Sequence, residues 1–510
     1  MSKASRLQSG WLSESVIGRT SDTLLLDMPC RLIIGNRGSG KSLGMEPELI
    51  DLAKAGEYAV VAFDLPGTLS RRMAGHLSAA GLEDRAEFEW AASKDHKYLS
   101  WPFFTQSTAE DPIQRQIEND TALEEFALGF FATANMKATE EKPYTKLWIM
   151  NAARLWGSQP IMPPLTWIEK CFFPDTREYA EMIQNAQDTD VLPLFEAVNL
   201  RRMRNPVQYE TETGASYRKI KNVRSPVLWA HNGTSCDWRT LLSERKQVYF
   251  DLSGVPQEMA RMLTIFACNA IVATCRRYFN ETGNPLPVVI VLEEAGALDL
   301  VTPLIITAMQ ELRKAGVFVW IISQTIMDFQ DQAKFEQIMA LTDDHVYYRA
   351  NSGVERIAQD LAAPTFDPLA VHYTRDKLVH NGYEQVETHS KSSGVQKQPL
   401  GGSKRISTNE SSGTSFLSKY KTVVEEYYKA PQVQAAEWQR AVATLQTFER
   451  IVRDQSGVRR ERAQPCFEIW PLGMSEMITE EAIQRIRTRP HYQACQLPST
   501  PKAGKGMRKS

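Results

Sequence analysis

A chain of 510 residues, 43% hydrophobic and 24% charged, is long enough for two or three domains or for one domain carrying a large insertion. Its formal net charge of -2 gives no global attraction to nucleic acid or anionic lipid, so any basic surface must be local. Seven scattered cysteines without a C-x-x-C pair exclude a disulfide framework and point to reduced, buried thiols in a cytosol.

Residues 1–29 read as a lead-in with one edge strand at 23–26 and no signal-peptide segment. Next, the apolar run Leu32-Ile33-Ile34 ends in Gly35-Asn36-Arg37-Gly38-Ser39-Gly40-Lys41-Ser42, which fits G-x-x-x-x-G-K-[ST] at every fixed position. Triphosphate oxygens need many donors at short range, and a glycine-rich turn lets consecutive backbone N–H groups converge on them. The helix expected over 43–55 adds the positive end of its dipole. In this reading Lys41 reaches the β- and γ-phosphates of ATP as a point charge, and the Ser42 hydroxyl sits on the bridging Mg2+.

A strand over 58–63 ending in Asp64, a helix over 69–80 and a strand near 86–90 continue the alternation of a mostly parallel α/β sheet. From 105 to 244 the periodicity turns helical, over 122–131, 144–156 and 180–203, and this block reads as an inserted helical subdomain holding Trp148, Trp156, Trp167 and Trp229. Basic residues at 201–204 and 217–221 fit a solvated helix face or a phosphate contact.

The α/β pattern returns with a strand over 247–252 and a long helix over 257–279. The strand that follows, Val288 to Leu292, ends in Glu293-Glu294. Acids at the carboxyl end of a buried strand stand where ligands sit in open α/β sheets. Glu293 is assigned to the magnesium, where the usual residue is Asp, one methylene shorter; Glu294 is assigned to the attacking water. The bland alternative is that the two acids open a helix.

A helix over 304–314, a strand over 317–322 ending in Ser323-Gln324-Thr325, a helix over 335–340, a strand over 345–349 and a helix over 354–361 complete the series. Gln324 is assigned as the sensor of the γ-phosphate. Arg313 is assigned either as an arginine finger toward a neighbouring subunit or as a cap on a helix carbonyl. Residues 386–418, rich in Ser, Gly and Lys, are expected as a flexible loop. A helix over 432–453, a strand over 466–470, a helix over 479–487 and a basic disordered tail over 491–510 end the chain. The ATPase core is thus expected over 30–104 and 245–385, with 419–490 as its carboxyl-terminal extension. No apolar run reaches the ~20 residues needed to cross a bilayer, so the expectation is a cytoplasmic protein with no transmembrane segment of its own, peripheral to a membrane complex where a partner docks it there.

GNRGSGKS, VVIVLEEAGAL, ELRKAGV and WIISQT, with a helix-rich insertion between the first two, resemble the HerA/FtsK superfamily of P-loop ATPases. Within it the chain is most similar to the type IV secretion coupling proteins of the TraG/TraD kind. About 250 residues separate Lys41 from Glu293, room that small nucleotide kinases lack. The resemblance implies a RecA-like core, ATP and Mg2+ as cofactors, a homo-oligomer in the form of a hexameric ring, and DNA gripped in its channel. It also implies a relaxase, a secretion channel or a nuclease as partner. Three functions follow: a DNA-translocating motor of conjugative transfer, a soluble HerA-like ATPase working beside a nuclease, and an ATP-gated assembly adaptor with little turnover.

Overall fold

β-Branched and aliphatic runs such as Arg31–Ile34, Val288–Leu292 and Val317–Ser323 are buried at every position, the signature of strands covered on both faces. The computed structural model describes residues 28–107, 109–131, 143–161, 163–187, 190–296, 303–329, 332–396, 405–465 and 476–494. The expected strands at 23–26 and 466–470 and the carboxyl tail beyond 494 lie outside them.

In chain order, β1 (Arg31–Ile34), α1 (Lys41–Ala55), β2 (Ala59–Asp64), α2 (Thr68–Ala79), β3 (Ala86–Trp90) and β4 (Lys97–Leu99) open the fold. A run of helices follows: α3 (Pro112–Phe131), α4 (Pro143–Gly157), α5 (Arg177–Asn185), α6 (Leu192–Arg204), α7 (Pro206–Ile220), α8 (Pro226–His231) and α9 (Trp238–Ser243). The expected helix over 180–203 is therefore two. Then come β5 (Gln247–Asp251), α10 (Gln257–Thr282), β6 (Val288–Leu292), α11 (Pro303–Glu311), β7 (Val317–Ser323), α12 (Gln332–Leu341), β8 (Asp344–Tyr348) and α13 (Val354–Thr365). The last elements are β9 (Val371–Gln396), β10 (Arg405–Tyr428), α14 (Pro431–Ala443), β11 (Glu449–Asp454), β12 (Gly457–Arg462), α15 (Glu476–Arg487) and β13 (Tyr492–Ala494).

Nine strands form one sheet in the order β12-β11-β8-β1-β7-β6-β2-β5-β3. From β8 to β3 every neighbouring pair is parallel, and β11 and β12 close one side as antiparallel strands. The parallel polarity carries the functional argument, because it puts every residue that follows β1, β2, β6, β7 or β8 at one end of the sheet. A buried ionic network ties β11 in. Arg450 is hydrogen-bonded to Glu48 (3.0 Å), Glu461 (2.7 Å) and the Tyr348 hydroxyl (3.3 Å), while Arg31 pairs with Glu48 and with Asp344 (3.1 Å). The helix expected over 432–453 is thus a helix only to Ala443, and the rest enters β11.

α10 is long and apolar enough to cross a bilayer by length and composition alone. It is a core helix here, with 72% of its most apolar stretch buried. Its Phe266 stacks on Phe103 at 4.9 Å and on Phe126 of α3 at 5.3 Å, joining the helical block to the sheet layer. Trp148 and Trp156 are buried within that block, in keeping with a packing role.

By contacts, the described parts of Met1–Ile357 and Arg440–Ser510 form one compact unit and Ala358–Gln439 a second. In the second, β9 and β10 make a long antiparallel ribbon, paired from Val371–Tyr428 to Gln396–Arg405 with register shifts between Ser418 and Tyr420 and between Tyr427 and Tyr428. Over 386–396 and 405–418 this corrects the expected flexible loop, residues 397–404 lie outside the described residues, and the expected core boundary at 385 falls inside β9. Ser, Gly and Lys dominate the sequence over 386–418, so composition concealed the pairing there. The stack of Tyr373 on Tyr427 at 4.6 Å and the Lys377–Glu425 pair at 2.8 Å help fix the register.

Candidate active site

The phosphate-loop motif spans the turn from β1 to α1. Gly38 and Gly40 have φ of 76° and 96°, a left-handed backbone in which a side chain is strained. Gly35 is needed for a different reason: a Cβ there would stand 2.5 Å from Cβ of Tyr348 on the neighbouring strand. The Gly35 N–H donates to the Ser323 carbonyl at 3.3 Å and the Asn36 N–H to the Arg349 carbonyl at 2.8 Å, so the loop is fixed to the strand ends on both its sides. Arg37 is exposed and Ser39 buried.

Lys41 bends back over this loop, donating from Nζ to the Gly35 carbonyl and, at 3.1 Å, to the Asn36 carbonyl. Burial lowers its pKa, and the carboxylates of Glu294, Glu293 and Asp328 oppose that shift. A desolvated ammonium ion held near three acids is a cation ready to exchange weak carbonyl partners for phosphate oxygens.

The Ser42 hydroxyl donates to Oε1 of Glu293, joining residues 251 apart in sequence. Glu293 directly follows β6, and its backbone N–H donates to the Phe63 carbonyl at 3.1 Å. Its Oε2 is buried without a protein donor among the described residues. Beside it stands the carboxyl of Asp64, the last residue of β2, which accepts the N–H groups of Gly67 (3.0 Å) and Ser70 (2.7 Å) and so caps α2. Burial, and then the Asp64 charge, push the Glu293 pKa well above the ordinary carboxylate range. Asp64 went unassigned in the sequence, although an acid closing an apolar strand is the same signal that singled out Glu293 and Glu294.

Glu294 has φ of 57°, a left-handed backbone that costs a non-glycine residue on the order of 1–2 kcal/mol. That twist goes with a 2.8 Å hydrogen bond from Nε2 of Gln324, at the end of β7, to Oε1 of Glu294. Residues 293–296 form a turn, so the two acids do not open a helix at this point. The structure therefore brings Lys41, Ser42, Glu293, Glu294 and Gln324 to one end of the sheet. It does not bring Arg313 there. Arg313 precedes β7, at the opposite end, and is engaged by Asp343 at 3.0 Å and the Met28 carbonyl at 3.5 Å. Met28 belongs to no helix, so within this chain Arg313 makes an ion pair and a loop-carbonyl contact and not the expected cap on a helix carbonyl.

The Ser42 hydroxyl, the donorless Glu293 oxygen and the nearby Asp64 are hard oxygen ligands suited to Mg2+. No cluster of three or more His, Cys, Asp or Glu residues able to cage a metal exists among the described residues.

The acid pair gives an expected result. Because the folded-state pKa of Glu293 is raised, the native protein binds more protons than the unfolded chain, and stability falls as pH rises above about 4.5 toward that raised value. Glu293→Gln removes this charge at nearly constant shape. In the absence of nucleotide it should raise the thermal midpoint at pH 8 by about 1–2 °C, on the order of 1–2 kcal/mol, and by less at pH 5. Equal midpoints at pH 8, read by differential scanning calorimetry, contradict a buried, repelled carboxylate.

No family model and no curated protein matches the sequence. Among solved structures, the fold is that of the bacterial conjugative coupling protein TrwB. Its unbound form superposes with a TM-score of 0.53 at 14% identity over 85% of each chain. TrwB bound to the non-hydrolysable ATP analogue ADPNP gives 0.53 at 13% identity over 85% of each chain. TrwB bound to ADP and Mg2+ gives 0.53 at 14% identity, over 86% of this chain and 85% of that one.

Proposed function

We propose that this chain is a P-loop ATPase of the coupling-protein kind, a ring-forming motor that hydrolyses ATP with Mg2+ to move DNA in conjugative transfer or a related mobile element. The observation that carries the ATPase part is the meeting of two hydrogen bonds at one sheet end, Ser42 with Glu293 and Gln324 with Glu294. The shared fold with TrwB, itself solved with ADPNP and with ADP and Mg2+, supports the choice of ligands. DNA, the hexameric ring and a relaxase or secretion-channel partner come from the motif resemblance and belong to the proposal alone.

In this mechanism Lys41 leaves the carbonyls of Gly35 and Asn36 for the β- and γ-phosphate oxygens. Ser42 and Glu293 would hold Mg2+, Glu293 through a water. When bound, Mg2+ neutralises charge on the phosphate oxygens. Glu294, fixed by Gln324, accepts a proton from the attacking water, and Gln324 passes the change at the γ-phosphate to β7.

Steady-state hydrolysis by the purified chain, with and without DNA, tests the proposal against Lys41→Ala. A rate above that control, raised by DNA, is expected. A rate no higher than the control leaves only a nucleotide-gated adaptor, and a rate indifferent to DNA removes the DNA motor. Co-purification with a nuclease in place of a relaxase moves the process to DNA end processing.

A further inference from the structure

The inserted helical block meets the core across a cavity that ATP hydrolysis does not use. It has a volume of about 180 Å³ and lies between the loop at Phe103, α3, the start of α9 and the carboxyl-terminal half of α10. α10 begins after β5 and ends before β6, so this half of it stands toward the sheet end opposite Glu293. Phe103, Phe126, Ala270 and Ala273 supply apolar wall. A dry apolar cavity of about 150 Å³ takes up a benzene ring, so the space here suits one ring with a short substituent.

Two of the lining side chains carry buried polar atoms that the protein leaves unanswered. Trp238 is 3% exposed and Glu125 is 9% exposed, and neither Nε1 of Trp238 nor Oε2 of Glu125 has a hydrogen-bond partner. A buried donor or acceptor left unmade costs more than a formed hydrogen bond returns, so such atoms are normally met by water or by a ligand. The other Glu125 oxygen accepts from Arg276 at 2.6 Å. Polar groups at the rim are engaged as well. Arg239 pairs with Glu281 at 2.7 Å and lies 5.0 Å over the Tyr278 ring, and Arg277 donates to the carbonyls of Thr105 (3.1 Å) and Gln106 (3.4 Å).

Charge narrows the class of ligand. Arg276 already offsets Glu125, and on the lining Arg239 and Arg277 are balanced by Asp237 and Glu281. A charged guest would add a buried charge with no counterpart, so a neutral one is favoured. We propose that this cavity is a binding site for a small neutral aromatic ligand that donates a hydrogen bond to Glu125 and accepts one from Trp238, the chemistry of an aryl carboxamide. The site owes nothing to the nucleotide-binding reading and stands or falls without it.

Benzamide tests the site on the full chain, with toluene as its apolar counterpart and benzamidine as its cationic one. Each is titrated without nucleotide and its dissociation constant read by ligand-observed NMR, with thermal melts run alongside. Wild type should bind benzamide, and more tightly than benzamidine. Trp238→Phe, which keeps most of the ring and removes the N–H, should weaken benzamide by roughly three- to tenfold, the range for one hydrogen bond, and leave toluene within about twofold. Ala273→Leu fills the cavity from α10 and should abolish binding of benzamide and toluene while the melting midpoint holds or rises. This second variant decides the matter if Trp238→Phe melts early. Equal effects of Trp238→Phe on benzamide and toluene reduce the site to an apolar void and overturn the proposal. Benzamidine binding more tightly than benzamide overturns the neutral class, and benzamide binding that survives Ala273→Leu places the ligand elsewhere. A wild-type chain that binds none of the three leaves water as the partner of Glu125 and Trp238, and the proposal is wrong.

Discussion

Glu294→Gln is expected to leave ATP bound and unhydrolysed, with the single-turnover rate down by roughly 10²- to 10⁴-fold and the ATP dissociation constant changed less than about threefold. The amide keeps an oxygen to accept the 2.8 Å hydrogen bond from Gln324, so the turn at 293–296 and the loop around Lys41 stay in place. What is lost is the negative charge that draws a proton from water. A collapse of ATP affinity in this variant would give Glu294 the metal-holding role and shift both acid assignments by one residue.

Lys41→Ala acts on the other term. Loss of the charge-assisted contacts to phosphate costs about 2–4 kcal/mol of binding, or roughly 30- to 700-fold in affinity, and hydrolysis falls with it. Folding should survive. The Lys41 pKa is lowered in the native state, so its charged form works against the fold at neutral pH, and that penalty fades only as pH climbs from the lowered value toward 10.5. Equilibrium nucleotide binding and a thermal melt, run together at pH 7.5, check both halves. A melt lowered by more than about 5 °C would make Lys41 a structural residue of the loop.

The phosphate loop, the acid pair and Gln324 were legible because each combines a buried apolar strand with polar residues just past its carboxyl end. Strand polarity then fixes the end of the sheet without any tertiary information. The same rule would have excluded Arg313 from the cleft, since a residue that precedes a parallel strand belongs at the far end. Asp64 carried a readable signal. The end of α14 escaped because neither Gly nor Pro separates Ala443 from Glu449. The ribbon escaped because Ser, Gly and Lys are poor strand formers in isolation, and its order comes from cross-strand pairing.

The place of β1 in the sheet also dictates when the protein can become itself. Its two partners, β7 and β8, begin only at Val317 and Asp344. At about 5–20 residues per second, a ribosome leaves this apolar segment without its mates for tens of seconds after it emerges. Closing so long a stretch is entropically modest but kinetically slow. The cleft between Lys41 and Glu293 is therefore a late product of biogenesis, and a chain interrupted before its final third exposes the sticky strand.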